Sequence, residues 1–415
     1  VVDKRNYDPF PYQPADVDAV FISHAHLDHI GRLPRLVREG FSGPVYSTLP
    51  TKEIAQLSLL DSLGVMEKES RHSKTPLLYS EADVTRLFTH WQTLEYHETI
   101  TIGHWQIRLL NAGHILGSAM TELTDQLSQK KIVFTGDLGN SPAPLLPDTE
   151  PLAGVDYLIM ESVYGDRNHE AVATRQAKLE DVIEDTMRAG GTLMIPAFSI
   201  ERTQALLYAI EQMMEQSRIP LVPVFLDSPL ALGVTKLYKK YQNYLSSGAQ
   251  AYGLTGDGLF QFVQLQKPRT TEESKAIAKA AARKIILAGS GMSNGGRILH
   301  HEKLYLADPR STLLLIGYQS PGSLGRLLQE GAQTVRIHGV TVPVRARIAS
   351  VSGYSAHKDS DQLLEFVHQA IDGLKQVFDV LGEPHSSLFL VQKIRDYLGV
   401  PALNPEAGQI ITLAL

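Results

Sequence analysis

The stretch Ser23-His24-Ala25-His26-Leu27-Asp28-His29 constrains this chain more than any other. It follows a β-branched run, Val17 to Ile22, that reads as a strand, and it opens an amphipathic pattern, Asp28 to Glu39, that reads as a helix. In extended backbone alternate side chains share a face, so His24 and His26 project together. Asp28 and His29, at the helix start, turn toward a second point close by. Hydrolytic sites with two metal ions hold them about 3.5–4 Å apart, and a single loop with its ligands split in this way suits such a pair. The competing reading is a polar turn with Asp28 as a helix cap. Three imidazoles and a carboxylate within six residues are a costly way to build a cap.

Two later residues extend the pattern. His114 lies between glycines in Gly113-His114-Ile115-Leu116-Gly117-Ser118, after a strand-like run, and Asp137 ends another strand in Thr135-Gly136-Asp137-Leu138-Gly139. Either residue by itself reads as an ordinary turn residue. After the histidine cluster, and in this order, they complete a ligand set in which the Asp137 carboxylate can bridge two ions. The chain has no cysteine, so histidine and carboxylate are the only ligands open to a transition metal, and disulfides and thiol nucleophiles are excluded.

The rest of the chain shows an α/β rhythm. Strands read at Trp105 to Leu110, Lys131 to Thr135 and Val155 to Met160, with a proline-rich loop from Ser141 to Pro151. From about Gly165 a second series follows: helix Glu170 to Arg188, strand Thr192 to Ile195, helix Ile200 to Gln216 and strand Val222 to Leu226. Next come a loop at Ser246 to Gly258, helix Glu272 to Arg283 and strand Lys284 to Ala288. This is the pattern of parallel-sheet units. Beyond Val340 the pattern returns to strands and then to two helices, Ser360 to Gly373 and Ser386 to Leu398.

At 415 residues the chain exceeds one ordinary core and implies two or three domains. Its formal charge of −6 excludes a uniformly basic coat, so contact with a polyanion has to come from a local groove or from metal ions. No apolar run spans a bilayer, and Val1 to Asn6 lack a signal-peptide core; the expectation is a cytoplasmic protein with no membrane association. The chain opens on Val1 rather than Met, so upstream residues stay open.

The His24, His26, Asp28, His29, His114 and Asp137 set resembles the metal motif of the metallo-β-lactamase superfamily. That motif is shared by lactamases, thioesterases and nucleases, so the substrate has to be read elsewhere. Glu161, in Met160-Glu161-Ser162-Val163-Tyr164-Gly165-Asp166, and His357, in Ser355-Ala356-His357-Lys358-Asp359, bracket the second α/β series. This arrangement, with Pro196-Ala197-Phe198-Ser199-Ile200-Glu201-Arg202-Thr203-Gln204, Leu226-Asp227-Ser228-Pro229 and Gly289-Ser290-Gly291-Met292, resembles the β-CASP nucleases over nearly the whole chain.

The resemblance implies an α/β fold, a metallo-β-lactamase αββα sandwich with an inserted α/β β-CASP domain. The expected division is residues 1–164 and 346–415 for the sandwich and 165–345 for the insertion. It implies a zinc-dependent phosphodiesterase with two Zn2+ ions, acting on single-stranded RNA as an endonuclease, a 5′ exonuclease or both. Catalytic roles are implied for Asp28, Glu161 and His357, with His357 donating a proton to the leaving ribose oxygen. Substrate contacts are expected from Arg202, from Ser290, Gly291 and Met292 in a glycine-rich backbone nest, and from Arg297 as a phosphate clamp. DNA stays open as the polymer and a homodimer as the assembly. Competing readings are a DNA nuclease of the same family, a small-molecule metallo-hydrolase and a non-catalytic nucleic-acid scaffold.

The chain departs from the family at Val380-Leu381-Gly382-Glu383-Pro384, where RNA-cleaving members place a zinc-ligand histidine at the position of Leu381. Leucine offers no ligand, so the second ion keeps Asp28, His29 and Asp137, with His385 or water as the candidate fourth donor. Asp3 is the candidate for the family's early supporting aspartate.

Overall fold

Residues 4–73, 75–254 and 258–415 are described by a computed structural model, in which the chain divides into two units. Asp3 lies outside the described residues.

The first unit comprises Val1–Ala143, Asp148–Asn168 and His357–Leu415. Its larger sheet has seven strands, in the order Ala402–Leu403, Gln376–Val380, Tyr157–Glu161, Lys131–Phe134, Ala119–Asp125, Trp105–Asn111 and Thr99–Ile102. The first four run parallel and the remainder antiparallel. Alternation sorts its side chains. Leu158, Met160 and Val377 pack against Leu363 and Phe366 of helix Ser360–Gln369 and Leu390 and Ile394 of helix Pro384–Leu398. Each such fully buried side chain contributes on the order of 1.5–3 kcal/mol.

The other face meets a small parallel sheet of Val20–Phe21, Val45–Ser47 and Trp91–Thr93. Phe21 and Tyr46 from that sheet pack with Leu109 and Ala119 from the larger one. Helices Leu49–Ser73 and Glu81–His90 pack with the small sheet, where Lys52 Nζ donates to the Trp91 carbonyl (2.6 Å) and the Trp91 indole to Ser47 Oγ (2.8 Å). This is the expected αββα sandwich.

The second unit comprises Pro144–Pro147 and His169–Ala356. Its six strands are all parallel, in the order Leu265–Gln266, Val224–Asp227, Lys284–Ala288, Thr192–Pro196, Thr312–Ile316 and Arg347–Val351. The four inner strands are buried throughout, as a parallel sheet covered on both faces requires. Because Arg347–Val351 completes this sheet beside Thr312–Ile316, the second unit runs to Ala356, past the boundary at 345 that the sequence suggested; at its start the division falls after Asn168 rather than Tyr164.

Local differences have local causes. The helix expected over Asp28 to Glu39 is two, Leu27–Ile30 and Leu33–Arg38, because Pro34 sits in the first turn of the second, where a missing N–H costs nothing. The expected loop Ser246 to Gly258 contains helix Ser247–Gly253, capped by the Ser246 hydroxyl accepting from Ala249 N–H. The Ala/Lys-rich helix expected to reach Arg283 ends at Ala276 with a short 3-10 turn to Lys279; Lys284 Nζ then takes the carbonyls of Ala280 and Ala281. No helix among the described residues is long and apolar enough to cross a membrane.

One buried acid makes the second unit sensitive to pH. Glu302 accepts from the Ser293 hydroxyl, while its Oε2 has no hydrogen-bond partner. Burial pushes its carboxyl up to about 8 from an ordinary 4.5. A raised folded-state value means that the unfolded chain sheds the proton first, so this stabilisation is complete below 4.5 and is lost as pH rises through 8. Glu302→Gln is expected to stabilise the fold by on the order of 2–4 kcal/mol at pH 8 and by little at pH 5. Thermal unfolding at the two pH values measures this, and equal shifts at both would contradict it.

Candidate metal centre

Three chain segments end at one point in the first unit. His24 and His26 leave the strand Val20–Phe21, His114 follows Trp105–Asn111, and Asp137 follows Lys131–Phe134. His24 Nε2 stands 3.0 Å from His26 Nδ1, which stands 3.3 Å from His114 Nε2. Asp137 Oδ2 is 3.3 Å from His24 Nε2 and 3.5 Å from His114 Nε2, and all four ligand atoms lie within 4.8 Å of one another. Ligands bound to one small ion through bonds of about 2.0–2.1 Å stand roughly 3.0–3.4 Å apart, so the spacing and the donor set fit a transition-metal ion such as zinc.

Electrostatics agree. Burial holds His24 below, and His26 and His114 well below, their ordinary value, so the imidazoles are neutral and present lone pairs. Asp137 is also buried, but the His24 and His29 imidazoles beside it hold its carboxyl well below the usual range, and it stays a carboxylate. A neutral imidazole set facing one carboxylate is the state a metal needs.

Small residues let these loops close. A Cβ on Gly136, whose φ is +56°, would lie 2.4 Å from Ser23 Cβ, and one on Gly139 would lie 1.9 Å from the Gly113 carbonyl oxygen. His114 is fixed by its own loop, its N–H donating to Ser118 Oγ (2.9 Å).

Ser23 is a functional residue that the sequence reading passed over. Its hydroxyl lies 3.1 Å from His24 Nδ1 and 3.4 Å from His29 Nδ1. With Nε2 of both rings turned to Asp137, Oγ is placed to accept both Nδ1–H groups, which fixes tautomer and ring orientation together. Ser23→Ala is expected to weaken zinc affinity by about 10–100-fold and Ser23→Thr to restore it. Competition with a chromogenic chelator reads this; unchanged affinity in the alanine variant would remove Ser23 from that role.

Beside the cluster, His357 Nδ1 faces both oxygens of the fully buried Glu161 at 3.1 and 3.2 Å, and its ring centroid is 4.6 Å from that of His114. Glu161 is the last residue of its strand and accepts from Leu138 N–H (2.5 Å). Burial raises its carboxyl above the ordinary value, against the opposing charge and hydrogen bond of His357. A backbone bridge between Gly139 and His357, and Lys358 N–H donating to Leu138 O (2.9 Å), hold the histidine against the Asp137 loop. Glu161 and His357, which bracket the second α/β series along the chain, thus lie together beside the ligands.

Around His29 donors are fewer. His29 Nε2 is 3.4 Å from Asp137 Oδ1 and 3.7 Å from Asp28 Oδ2, and the Asp28 side chain is 79% exposed. Against desolvation, the hydrogen bond and charge of Asp137 keep His29 above its ordinary value.

Comparison with known proteins places the chain. Residues 5–148 match the metallo-beta-lactamase superfamily domain, 203–328 the Beta-Casp domain, and 341–405 the Zn-dependent metallo-hydrolase RNA specificity domain. The chain is 39% identical to Ribonuclease TTHA0252 of Thermus thermophilus, over 94% of this chain and 86% of that one. It belongs to the β-CASP family of metal-dependent nucleases. An RNase J-like protein of Methanocaldococcus jannaschii is 31% identical over 96% of this chain and 89% of its own length. Transcription termination factor FttA of Methanosarcina mazei is 32% identical, and this chain spans 63% of it. Among solved structures, a protein of unknown function from Enterococcus faecalis shares the fold, with a TM-score of 0.53 at 13% identity, covering 95% of this chain and 81% of that one.

Within this β-CASP chain, two expectations need correction. His385 is no fourth donor for a second ion: it is exposed and lies 3.3 Å from Asp166, because it sits in the first turn of helix Pro384–Leu398. Arg297 is no unengaged clamp. Its guanidinium pairs with the buried Asp227 carboxylate at 2.7 Å and donates to the Arg269 carbonyl, while His301 and Ser274 take the other Asp227 oxygen.

The glycine-rich loop of the second unit is partly closed on itself. Ser290 N–H donates to Gly295 O, Ser293 N–H to Ser290 O, and Asn294 N–H to Ser290 Oγ. Gln319 takes the Gly291 carbonyl and Ser320 donates to Met292 Sδ. The nest expectation therefore narrows to Gly291 and Met292. Arg202 lies with its guanidinium 4.8 Å from the Phe198 ring centre and donates to Ile316 O. It opens helix Arg202–Glu215, whose Ncap residue, Glu201, makes no capping bond because its carboxyl goes to the Tyr238 hydroxyl.

Proposed function

We propose that this chain hydrolyses phosphodiester bonds of single-stranded RNA with zinc, cutting internally, from the 5′ end, or both. The observation that carries the reading is the convergence of His24, His26, His114 and Asp137 beside the Glu161–His357 pair. An ion held by the four ligands would supply Lewis acidity, acidifying the attacking water and offsetting charge on the phosphoryl oxygens.

The protein's own groups do the rest. Asp137 and the three imidazoles would hold the ion, and their burial would exclude water from one side of it. Glu161 accepts Nδ1–H of His357 and so orients the ring, leaving Nε2 as the end that gives a proton to the leaving ribose oxygen. Asp28, with His29, holds the exposed side of the centre. We assign contacts with the RNA chain to Arg202 and to the backbone of Gly291 and Met292; Arg297 acts through Asp227 to hold that loop rather than as a direct ligand.

RNA is favoured by the match to the RNA specificity domain and by a relative named as a ribonuclease. The test is incubation of zinc-loaded protein with 5′- and 3′-end-labelled single-stranded RNA and DNA, with Asp137→Asn as control. RNA ladders absent from the control are expected; cleavage of DNA with RNA intact would overturn the substrate assignment.

A further inference from the structure

We infer that the buried Glu201–Tyr238 pair is a latch that holds a strained turn in the second unit and so sets the direction of the Arg202 side chain for RNA. The inference rests on the proposed function, which gives Arg202 to the RNA chain. Glu201 stands at φ +64° and ψ −59°, and Arg202 N–H donates to the Ile200 carbonyl (2.8 Å), two residues back. That is a γ-turn of the rare, strained form, adopted by any residue with a side chain at a steric cost that glycine avoids. Glu201 is only 6% exposed, and burial pushes its carboxyl up to about 7, against the opposing bond from the Tyr238 hydroxyl. Two unfavourable features meet on one residue, and glycine would remove both. Such a residue serves its neighbours rather than the stability of the fold.

The neighbour in question is Arg202. The turn follows strand Thr192–Pro196, and the adjoining strands Lys284–Ala288 and Val224–Asp227 lead into the loop 289–292 and Ser228. Ligands of parallel sheets bind beyond these carboxyl ends. There the Arg202 guanidinium lies 4.8 Å from the Phe198 ring centre and donates to Ile316 O (3.1 Å), and a Cβ on Gly317 would stand 3.3 Å from its Nη1. The Phe198 ring in turn lies against Gly291, where a Cβ would come within 2.5 Å of it. Each of these contacts depends on the direction in which the backbone leaves residue 201. The other end of the latch is anchored. Tyr238 is fully buried in helix Pro229–Lys240, one turn after Thr235, whose hydroxyl accepts from Gln204 Nε2 (3.0 Å). Among the described residues Tyr238 is the hydrogen-bond partner of the Glu201 carboxyl, so the tyrosine hydroxyl is what holds the central residue of the turn by its side chain. Without that hydroxyl the buried carboxyl loses its donor, and the turn relaxes and carries Arg202 with it.

The test measures RNA binding, turnover and local order in the full chain. Tyr238→Phe removes the hydroxyl and keeps the ring. It is expected to weaken binding of an uncleavable phosphorothioate single-stranded RNA, read by fluorescence anisotropy, by about three- to tenfold and to raise KM alike. Its kcat should stay within about twofold of wild type, with zinc content unchanged. In an Arg202→Ala background the same substitution should change RNA affinity by less than about twofold, because its route to the RNA is gone. Glu201→Gly combined with Tyr238→Phe removes the strain and the buried acid together. That double variant should melt no lower than wild type and still bind RNA more weakly, a combination that a purely structural pair does not give. Equal losses of affinity with and without Arg202, or no loss in either, would overturn the inference. Hydrogen exchange without RNA separates the latch from the substrate: residues 198–204 should exchange faster in Tyr238→Phe than in wild type, and unchanged exchange would overturn the latch itself. A wild type that binds no RNA would instead sink the proposed function, with the exchange measurement still deciding the latch.

Discussion

Replacing Asp137 by asparagine is expected to abolish tight zinc binding and to lower RNA cleavage by about a thousandfold or more, roughly 4 kcal/mol of transition-state stabilisation. The size of the effect follows from the number of partners one carboxylate serves. Its Oδ2 faces His24 and His114 and its Oδ1 faces His29, so the neutral amide removes the one carboxylate of the four-ligand cluster, the charge in that set that offsets a divalent cation. Asparagine keeps the shape of the side chain, and the fold is expected to persist, which far-UV circular dichroism would confirm. Metal content and cleavage rate should fall together. A variant that kept its zinc and its rate would show that the ion is held elsewhere.

Replacing His357 by alanine is expected to separate these two readouts. The imidazole is not one of the four clustered ligands, and its Nδ1 lies 4.0 Å from Asp137 Oδ2 against 3.1 Å from Glu161. Zinc content should therefore stay at the wild-type level while cleavage slows by about 100-fold or more, the contribution expected of a positioned general acid. Glu161→Gln should act through His357 and give a smaller loss with zinc retained. Equal turnover in wild type and His357→Ala would remove the histidine from the reaction.

The sequence carried the metal ligands because their spacing is a local property. His24 and His26 share a face wherever the backbone is extended, and the short strand Val20–Phe21 with its extended continuation delivers them together. Strand-end positions downstream of the cluster pointed to His114 and Asp137, the family resemblance supplied Glu161 and His357, and all of these converge. Helix Leu49–Ser73 was readable and overlooked: Ile54, Ala55, Leu59, Leu63 and Met66, all buried, recur at helical spacing. By contrast, the end of the second unit at Ala356 could not be read along the chain, because the strand Arg347–Val351 belongs to whichever sheet accepts it, and pairing with Thr312–Ile316 is a long-range choice.

By itself, then, the sequence determined which residue types can hold a metal and in what order they come, since donor chemistry and the two-residue period of extended chain are intrinsic. Only the tertiary structure decided which polar groups remain available for function. Arg297 and Ser293 are spent on Asp227 and Glu302, side chains that reach them only once strands and helices have packed. Leu381 and His29 come to line one cleft although 352 positions of chain numbering part them, and Ser23 comes to stand between two imidazoles. Hydrogen bonds and ion pairs between distant residues depend on packed geometry, which no local pattern of residues encodes.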